Sequence, residues 1–469
     1  MDFASIGLLL ALTTIFYGSF VGDIKSYFWL APLLTILIFF ACWLLMRPQK
    51  YSHVDFIIYF ATGIIILIIS FLGKLDFNYS LYFFAYLAIA LIACFFTYFG
   101  LKELRQVKKM SLKSMERLRQ PMILFIVLAC LICFLYFNNV IWNWGSEEGE
   151  INIKAFQTLL QGVSPYSKIY TMEYGWAKGT ATPYSYFPVT LLYYGLFSVF
   201  PTSPISAVPN FSNLKVGTML VTVFAAILLL KTFKELNHES FGRFLSILYI
   251  LVFGFAWGGI DYIHTFAGFF IILTAYFLAT GKNQLSLASA GFTALTQPIG
   301  TLFSMFVIVH IIRKTKPKFF NWKNIAALAP SAIILLTFFL WDWQSFINSI
   351  FGWWTGTQGG IAGTYFGTTS VANLTYFFNP IIEMIGARTF FITKITLMLL
   401  LGMVLSLKYT KTITKTIFSA AVFILTWLFL VNSWISVMYL QEAIVTSFLL
   451  IGFLVINSQN ASRKPVEVT

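Results

Sequence analysis

The 469-residue chain is 59% hydrophobic and only 10% charged, and its 31 basic residues against 17 acidic ones leave a net charge of +14. With a mean hydropathy of +0.81, this is more apolar surface than a soluble core can hide, which excludes an ordinary water-soluble enzyme. A transmembrane β-barrel is excluded as well, because the apolar segments are long and unbroken rather than short and alternating.

Runs of roughly 20 apolar residues recur along the chain, each long enough to cross a ~30 Å hydrocarbon layer as a helix. Lipid offers the backbone no hydrogen-bond partners, so such runs satisfy themselves by coiling. The expected fold is all-α, a polytopic integral membrane protein with about 13–14 transmembrane helices and amphipathic juxtamembrane helices in its outer loops.

The start, MDFASIGLLLALTTIFYGSF, lacks a basic n-region and reads as the first span, 3–21, rather than a cleaved signal peptide. Spans follow at 27–46, 54–73 and 81–101, so residues 1–101 form an N-terminal four-helix membrane extension. Residues 102–120, KELRQVKKMSLKSMERLRQ, are a basic loop before the next span at 121–138. Cys42, Cys94, Cys130 and Cys133 all lie inside apolar runs, where a small polarizable side chain packs well. They suggest neither a disulfide framework nor a zinc site.

Further basic clusters fall at 47–53, 231–243, 313–323, 408–415 and in the tail 457–469. The positive-inside rule places all of them in the cytoplasm, with both termini inside. Loops this short beside the membrane do not point to nucleic acid as a partner.

The segment after the 121–138 span opens with SEEGEINIKAFQTLLQGVSPY and belongs to an outer loop, 139–215. Its first helix is expected over 147–161, amphipathic and lying at the membrane surface, with Glu147, Glu150 and Lys154 on the polar side. The apolar run at 185–200 is expected to be juxtamembrane, because a span there would invert every later basic loop. Spans at 216–231, 244–260 and 265–280 alternate correctly. In the run 285–312, Pro298 removes a backbone donor and disfavours helix just before it, so two short helices should meet near Thr296, Gln297 and Pro298. Spans at 324–341, 389–408, 416–434 and 437–456 complete the set, leaving a second outer loop at 342–388. Both outer loops are rich in Trp, Tyr, Gly and turn signals, and connections of that length are usually functional.

Against this layout the chain resembles the GT-C superfamily of membrane glycosyltransferases, particularly the branch similar to polyprenyl-phosphate-mannose-dependent transferases. The resemblance rests on an acid after an early span (Glu147, Glu148), then Ala155, then Leu159 to Tyr166 as L-x-x-G-x-x-P-Y, then Tyr186-Phe187-Pro188 opening the next helix. Further on come Gly258-Gly259-Ile260-Asp261, Leu295-Thr296-Gln297-Pro298 and, at the second outer loop, Trp341-Asp342 with Phe346. It spans 121–456, which is expected to form a GT-C-like catalytic membrane domain. Three positions depart from the family pattern: glutamate stands for aspartate, Gln297 for lysine, and Pro188 is the only proline of its pair.

The resemblance implies transfer of a hexose, mannose first among the choices, from a polyprenyl-phosphate-linked donor to a glycan or lipid-linked acceptor. It implies inversion, a non-cytoplasmic site in a cell or endoplasmic-reticulum-like membrane, and neither metal nor other cofactor. Glu148 is the expected general base, with Glu147 and Glu150 as substitutes, and Asp261 a second carboxylate. Tyr166, Tyr186, His264, Gln297, Asp342, Arg388, Lys394 and Glu442 are expected to bind substrate.

The chemistry is reasonable independently. A carboxylate can take the acceptor hydroxyl's proton as it attacks the anomeric carbon, and it tolerates developing oxocarbenium charge. The leaving lipid phosphate needs cations or helix N-termini, for which Arg388 and Lys394 are candidates, with Lys168 and Lys178 as alternatives. Glu442 falls in the last apolar run, where an acid either serves function or pairs with Lys394. Trp341, Trp343, Trp353 and Trp354 could stack on sugars or form an interfacial belt. The rival readings are a transporter or flippase of lipid-linked saccharides and a non-catalytic assembly subunit.

Overall fold

The computed structural model describes residues 147–173, 179–199, 211–238, 263–315, 321–352 and 387–427, with isolated positions at 242–249, 384–385 and 445–456. The chain divides into two units: one is Phe134–Thr446, the other Met1–Cys133 with Ser447–Thr469. All the helices and strands named below belong to the first of these. The expected N-terminal extension, 1–101, and the basic loop, 102–120, lie outside the described residues.

The described part is mostly helical. In chain order its elements are α1 (Glu147–Leu160), strands β1 (Ile169–Thr171) and β2 (Ala181–Pro183), α2 (Pro188–Ser198), α3 (Phe211–Glu235), α4 (Ile263–Ala279) and α5 (Asn283–Ala294). Then come α6 (Pro298–Thr315), α7 (Trp322–Trp341), α8 (Trp343–Ile347), a π turn (Asn348–Gly352), α9 (Ala387–Tyr409) and α10 (Ile413–Thr426). The strands form an antiparallel hairpin with Tyr170 opposite Thr182.

α6, α7 and residues Ile392–Tyr409 of α9 are long and apolar enough to cross a membrane. The 20 residues of α7 rise about 30 Å. Pro330 sits inside α7 without ending it. By contrast α2 has 11 residues and rises only about 17 Å, too short to cross the hydrocarbon layer.

Sequence chemistry accounts for the breaks. α1 starts on consecutive acids, which suit the positive end of a helix. It ends in a Schellman motif: the Gly162 N–H donates to the Leu159 carbonyl at 3.0 Å and the Val163 N–H to that of Thr158 at 3.2 Å. Gly162 has φ +74, a left-handed conformation that penalises any side chain. Proline then opens the next two helical elements, Pro165 in the 3-10 turn Pro165–Ser167 and Pro188 at the first turn of α2. Between α5 and α6 the expected break is present at Leu295 to Gln297. Gly300 lets the two helices close on each other, since a Cβ there would overlap the Thr293 carbonyl oxygen.

Two expectations need correction. α3 begins at Phe211, so the loop expected to run to residue 215 is shorter. Helix α1 was expected to present Glu150 on a polar face, yet Glu150 is only 3% exposed. The apolar face of α1 (Ile151, Ala155, Phe156) is likewise buried in protein, against Tyr166, Tyr170, Tyr184, Leu191, Phe338 and Phe346. Protein partners cover Glu150 and these three apolar side chains, while Gln157 and Leu160 stay exposed.

Candidate functional site

The sequence motifs fold around one another. Tyr166, 2% exposed, sits edge-on to Phe346 at 4.7 Å, Tyr184 at 5.5 Å and Phe338 at 6.0 Å between ring centroids. Its hydroxyl donates to the Tyr186 carbonyl at 2.9 Å, and the Tyr166 carbonyl accepts from the Ser349 hydroxyl at 2.7 Å. The glycine of L-x-x-G-x-x-P-Y ends a helix, the proline starts a turn, and the tyrosine fills the core. Burial raises the pKa of Tyr166 and of Tyr184 well above the ordinary phenol value, so both stay neutral donors.

Asp342 ends α7 and caps α8, its Oδ1 accepting from the Ser345 N–H at 3.1 Å. Four residues on, Phe346 enters the same aromatic core. The Trp341-Asp342 motif is therefore a bend with a cap and an anchor.

The start of α2 is stitched to the turn between α5 and α6. The Val189 N–H donates to the Leu295 carbonyl at 3.2 Å, and the Thr190 hydroxyl donates to the Thr296 carbonyl at 2.8 Å. A helix N-terminus leaves donors unpaired, and here a helix C-terminus supplies acceptors. Within that turn Gln297, 3% exposed, meets His264, 2% exposed, on the first turn of α4. Gln297 Nε2 lies 2.9 Å from His264 Nδ1. Which of the two donates depends on the imidazole tautomer.

The acids after the early span have different surroundings. Glu148 is half-buried in the first turn of α1, and its carbonyl accepts from Asn152 Nδ2 at 2.7 Å. Asn152 Oδ1 in turn accepts from the Tyr184 hydroxyl at 2.8 Å. Glu150 pairs with Lys154 at 2.8 Å and accepts the Glu173 N–H at 2.7 Å. Lys154 also reaches the Glu173 carboxylate at 2.9 Å and the Thr171 carbonyl at 2.7 Å. Burial alone would lower the Lys154 pKa, but hydrogen bonds and charge from Glu150 and Glu173 outweigh it, and the net shift is upward.

Lys394 is buried on α9 with its ammonium 5.1 Å from the Phe390 ring centroid. Arg388 and Glu147 lie in the first turns of α9 and α1, described through their backbone only. Asp261 and Glu442 lie outside the described residues, as do Lys178, Trp353 and Trp354.

Direct contact thus joins Tyr166 to Tyr186 and His264 to Gln297. Asn152, Tyr184, Glu173 and Ser349 were not singled out from sequence. The i,i+4 spacings Glu148 to Asn152 and Glu150 to Lys154 were visible signals. The long-range partners left none.

Together these features define a helical protein with membrane-length segments, carrying a compact, aromatic-cored loop region led by an acidic helix. No protein-family model matches the chain, and no curated protein matches it. Among solved structures it is similar to ArnT from Cupriavidus metallidurans bound to undecaprenyl phosphate, with 12% sequence identity and a TM-score of 0.44. The match covers 74% of this chain and 61% of that one, so the chain spans less than two thirds of that protein.

Proposed function

We propose that this protein is a GT-C-type glycosyltransferase. It moves a hexose, mannose first among the choices, from a polyprenyl-phosphate-linked donor to a glycan or lipid-linked acceptor on the non-cytoplasmic face. Glu148 acts as general base, taking the proton of the acceptor hydroxyl as its oxygen attacks the anomeric carbon and the lipid phosphate departs with inversion. Of the two substitutes only Glu147 remains in reserve, since Glu150 is engaged by Lys154 and the Glu173 N–H, and Asp261 is the second carboxylate. Arg388 and Lys394 are the cations for the phosphate. The His264–Gln297 pair includes the position, Gln297, where the family pattern has a lysine, and the Gln297 amide offers hydrogen bonds rather than charge.

The observation that carries this reading is the assembly of the motifs. The acid-led helix, the P-Y turn, the Y-F-P helix start and the T-Q-P turn are scattered over about 150 residues (147 to 298), yet hydrogen bonds join the last three from Tyr166 to Tyr186 and from Thr190 to Thr296, and Tyr184 ties in the acid-led helix at Asn152. Chance motifs have no reason to converge. One feature favours the transporter reading: the buried polar pair at a break between two helices, an arrangement transporters use for binding.

The test is transfer by purified protein in lipid, supplied with labelled polyprenyl-phosphate sugars. Glu148→Gln should lower the rate by roughly 10²- to 10⁴-fold, the usual contribution of a general base. Transfer unchanged in that variant would remove the assignment. A flippase would instead move lipid-linked saccharide across vesicles whether or not Glu148 is a carboxylate. Single thiols at the exposed positions Gln157 and Lys168 should label from outside; labelling from the cytosolic side alone would end the sidedness argument.

A further inference from the structure

We infer that Glu150 and Lys154 are positioning residues that pin the β1–β2 hairpin to the first turns of the helix carrying Glu148. This goes beyond the glycosyltransferase reading while resting on it for its link to catalysis.

The geometry is specific. Glu150 Oε1 takes the Lys154 ammonium at 2.8 Å and the Glu173 N–H at 2.7 Å. The same ammonium holds the Thr171 carbonyl at 2.7 Å and the Glu173 carboxylate at 2.9 Å. The chain leaving β1 is therefore clamped to α1 by three polar contacts from two side chains that are themselves paired. The chain leaving β2 is held separately, through the Tyr184 hydroxyl on Asn152 and the Asn152 amide on the Glu148 carbonyl. Both arms of the hairpin thus end on α1 residues within two turns of Glu148.

The division of labour among the acids follows from occupancy. Glu150 is buried, and its Oε1 is already the acceptor for an ammonium and an amide. A base must reach an incoming hydroxyl, and this oxygen would first have to drop two charge-assisted hydrogen bonds. Lys154 is tied in the same way and is not offered to a phosphate. Their task is to hold the backbone. A shift of about 1 Å in a catalytic group can cost about 100-fold in rate.

Hydrogen–deuterium exchange of the peptide covering 169–173, measured beside sugar transfer, separates the possibilities. In Glu150→Ala the Glu173 amide should exchange at least ten times faster and kcat should fall 10- to 100-fold, with KM for the donor changed less. Glu150→Gln keeps an oxygen acceptor, so it should retain slow exchange and most of kcat; Lys154→Met should resemble the alanine variant. Exchange unchanged in Glu150→Ala overturns the pin. Fast exchange with undiminished transfer overturns the positioning role. Glu150→Gln as inactive as Glu148→Gln, with the amide still protected, would make Glu150 a chemical participant and overturn the assignment too. If wild-type protein transfers no sugar, the enzyme reading fails by itself, and the exchange experiment still decides the pin.

Discussion

Helix α7 and the loop region it supports solve opposite problems. Along most of α7 the large side chains point outward: Ile333 is 63% exposed and Leu340 73%. Only 17% of its apolar window is buried in the protein. In the loop region, Tyr166 and Tyr184 are almost wholly buried and their hydroxyls are hydrogen-bonded. Lipid is as apolar as leucine, so apolar contact cannot tell a lipid-facing helix which way to turn. The loop core has that information in its polar pairs, because an unmade hydrogen bond inside it is expensive.

The contrast can be broken or sharpened by substitution, and the largest effect should come from the aromatic core. Tyr184→Ala removes a buried ring and the Asn152 donor. It should cost about 3–5 kcal/mol, the range for large aromatic truncations, read as loss of protease resistance across 147–199. Tyr166→Phe keeps the ring but removes the hydrogen bond to the Tyr186 carbonyl, and should cost about 1 kcal/mol in the same assay. Gly162→Ala should cost about 1 kcal/mol or more through backbone strain alone, because nothing lies within 4 Å of the added methyl. Asp342→Ala should cost about 1 kcal/mol, by loss of the α8 cap. Leu340→Ala should shift thermal stability in lipid by no more than about 0.5 kcal/mol. A large loss there would mean that this face of α7 is covered by protein.

Alkaline pH should strike the loop region and spare the lipid-facing helices. The Lys154 pKa is raised above its ordinary 10.5, so its pairing stabilises the fold fully below that value and is lost as pH climbs through the raised one. Burial raises Tyr166 and Tyr184 as well, and an acid that resists ionising in the fold weakens it in the same direction. Protection of the 169–173 amides should therefore hold from neutral pH to about pH 10 and fall beyond it. Loss of protection near pH 8 would contradict the ion triad.

Much of this architecture was legible locally. Pro298 announced the break between α5 and α6, and the acids before an amphipathic run announced α1. Gly162 and Pro165 announced the turn after it. The charge pattern argued against a span at 185–200, and α2 is indeed too short for one. Less was legible where one residue type has two uses. Asp342 was singled out for substrate, and the cap that its Oδ1 forms on α8 was not foreseen. Glu150 was expected on a polar surface and lies buried in a salt bridge. Its partner N–H is 23 residues away, Tyr184 is 32 from Asn152, and Ser349 is 183 from Tyr166. Such pairings have no period for a sequence reader to detect.

By itself, the sequence determined what depends on neighbours along the chain: which runs are apolar enough for lipid, where proline and glycine interrupt them, and where acids begin a helix. Tertiary structure decided what each polar group does once there. Whether a carboxylate is occupied by an ammonium and an amide or stands at a helix's first turn depends on what the fold carries to it. Desolvation makes that choice binding, because a buried charge must keep the partners it finds.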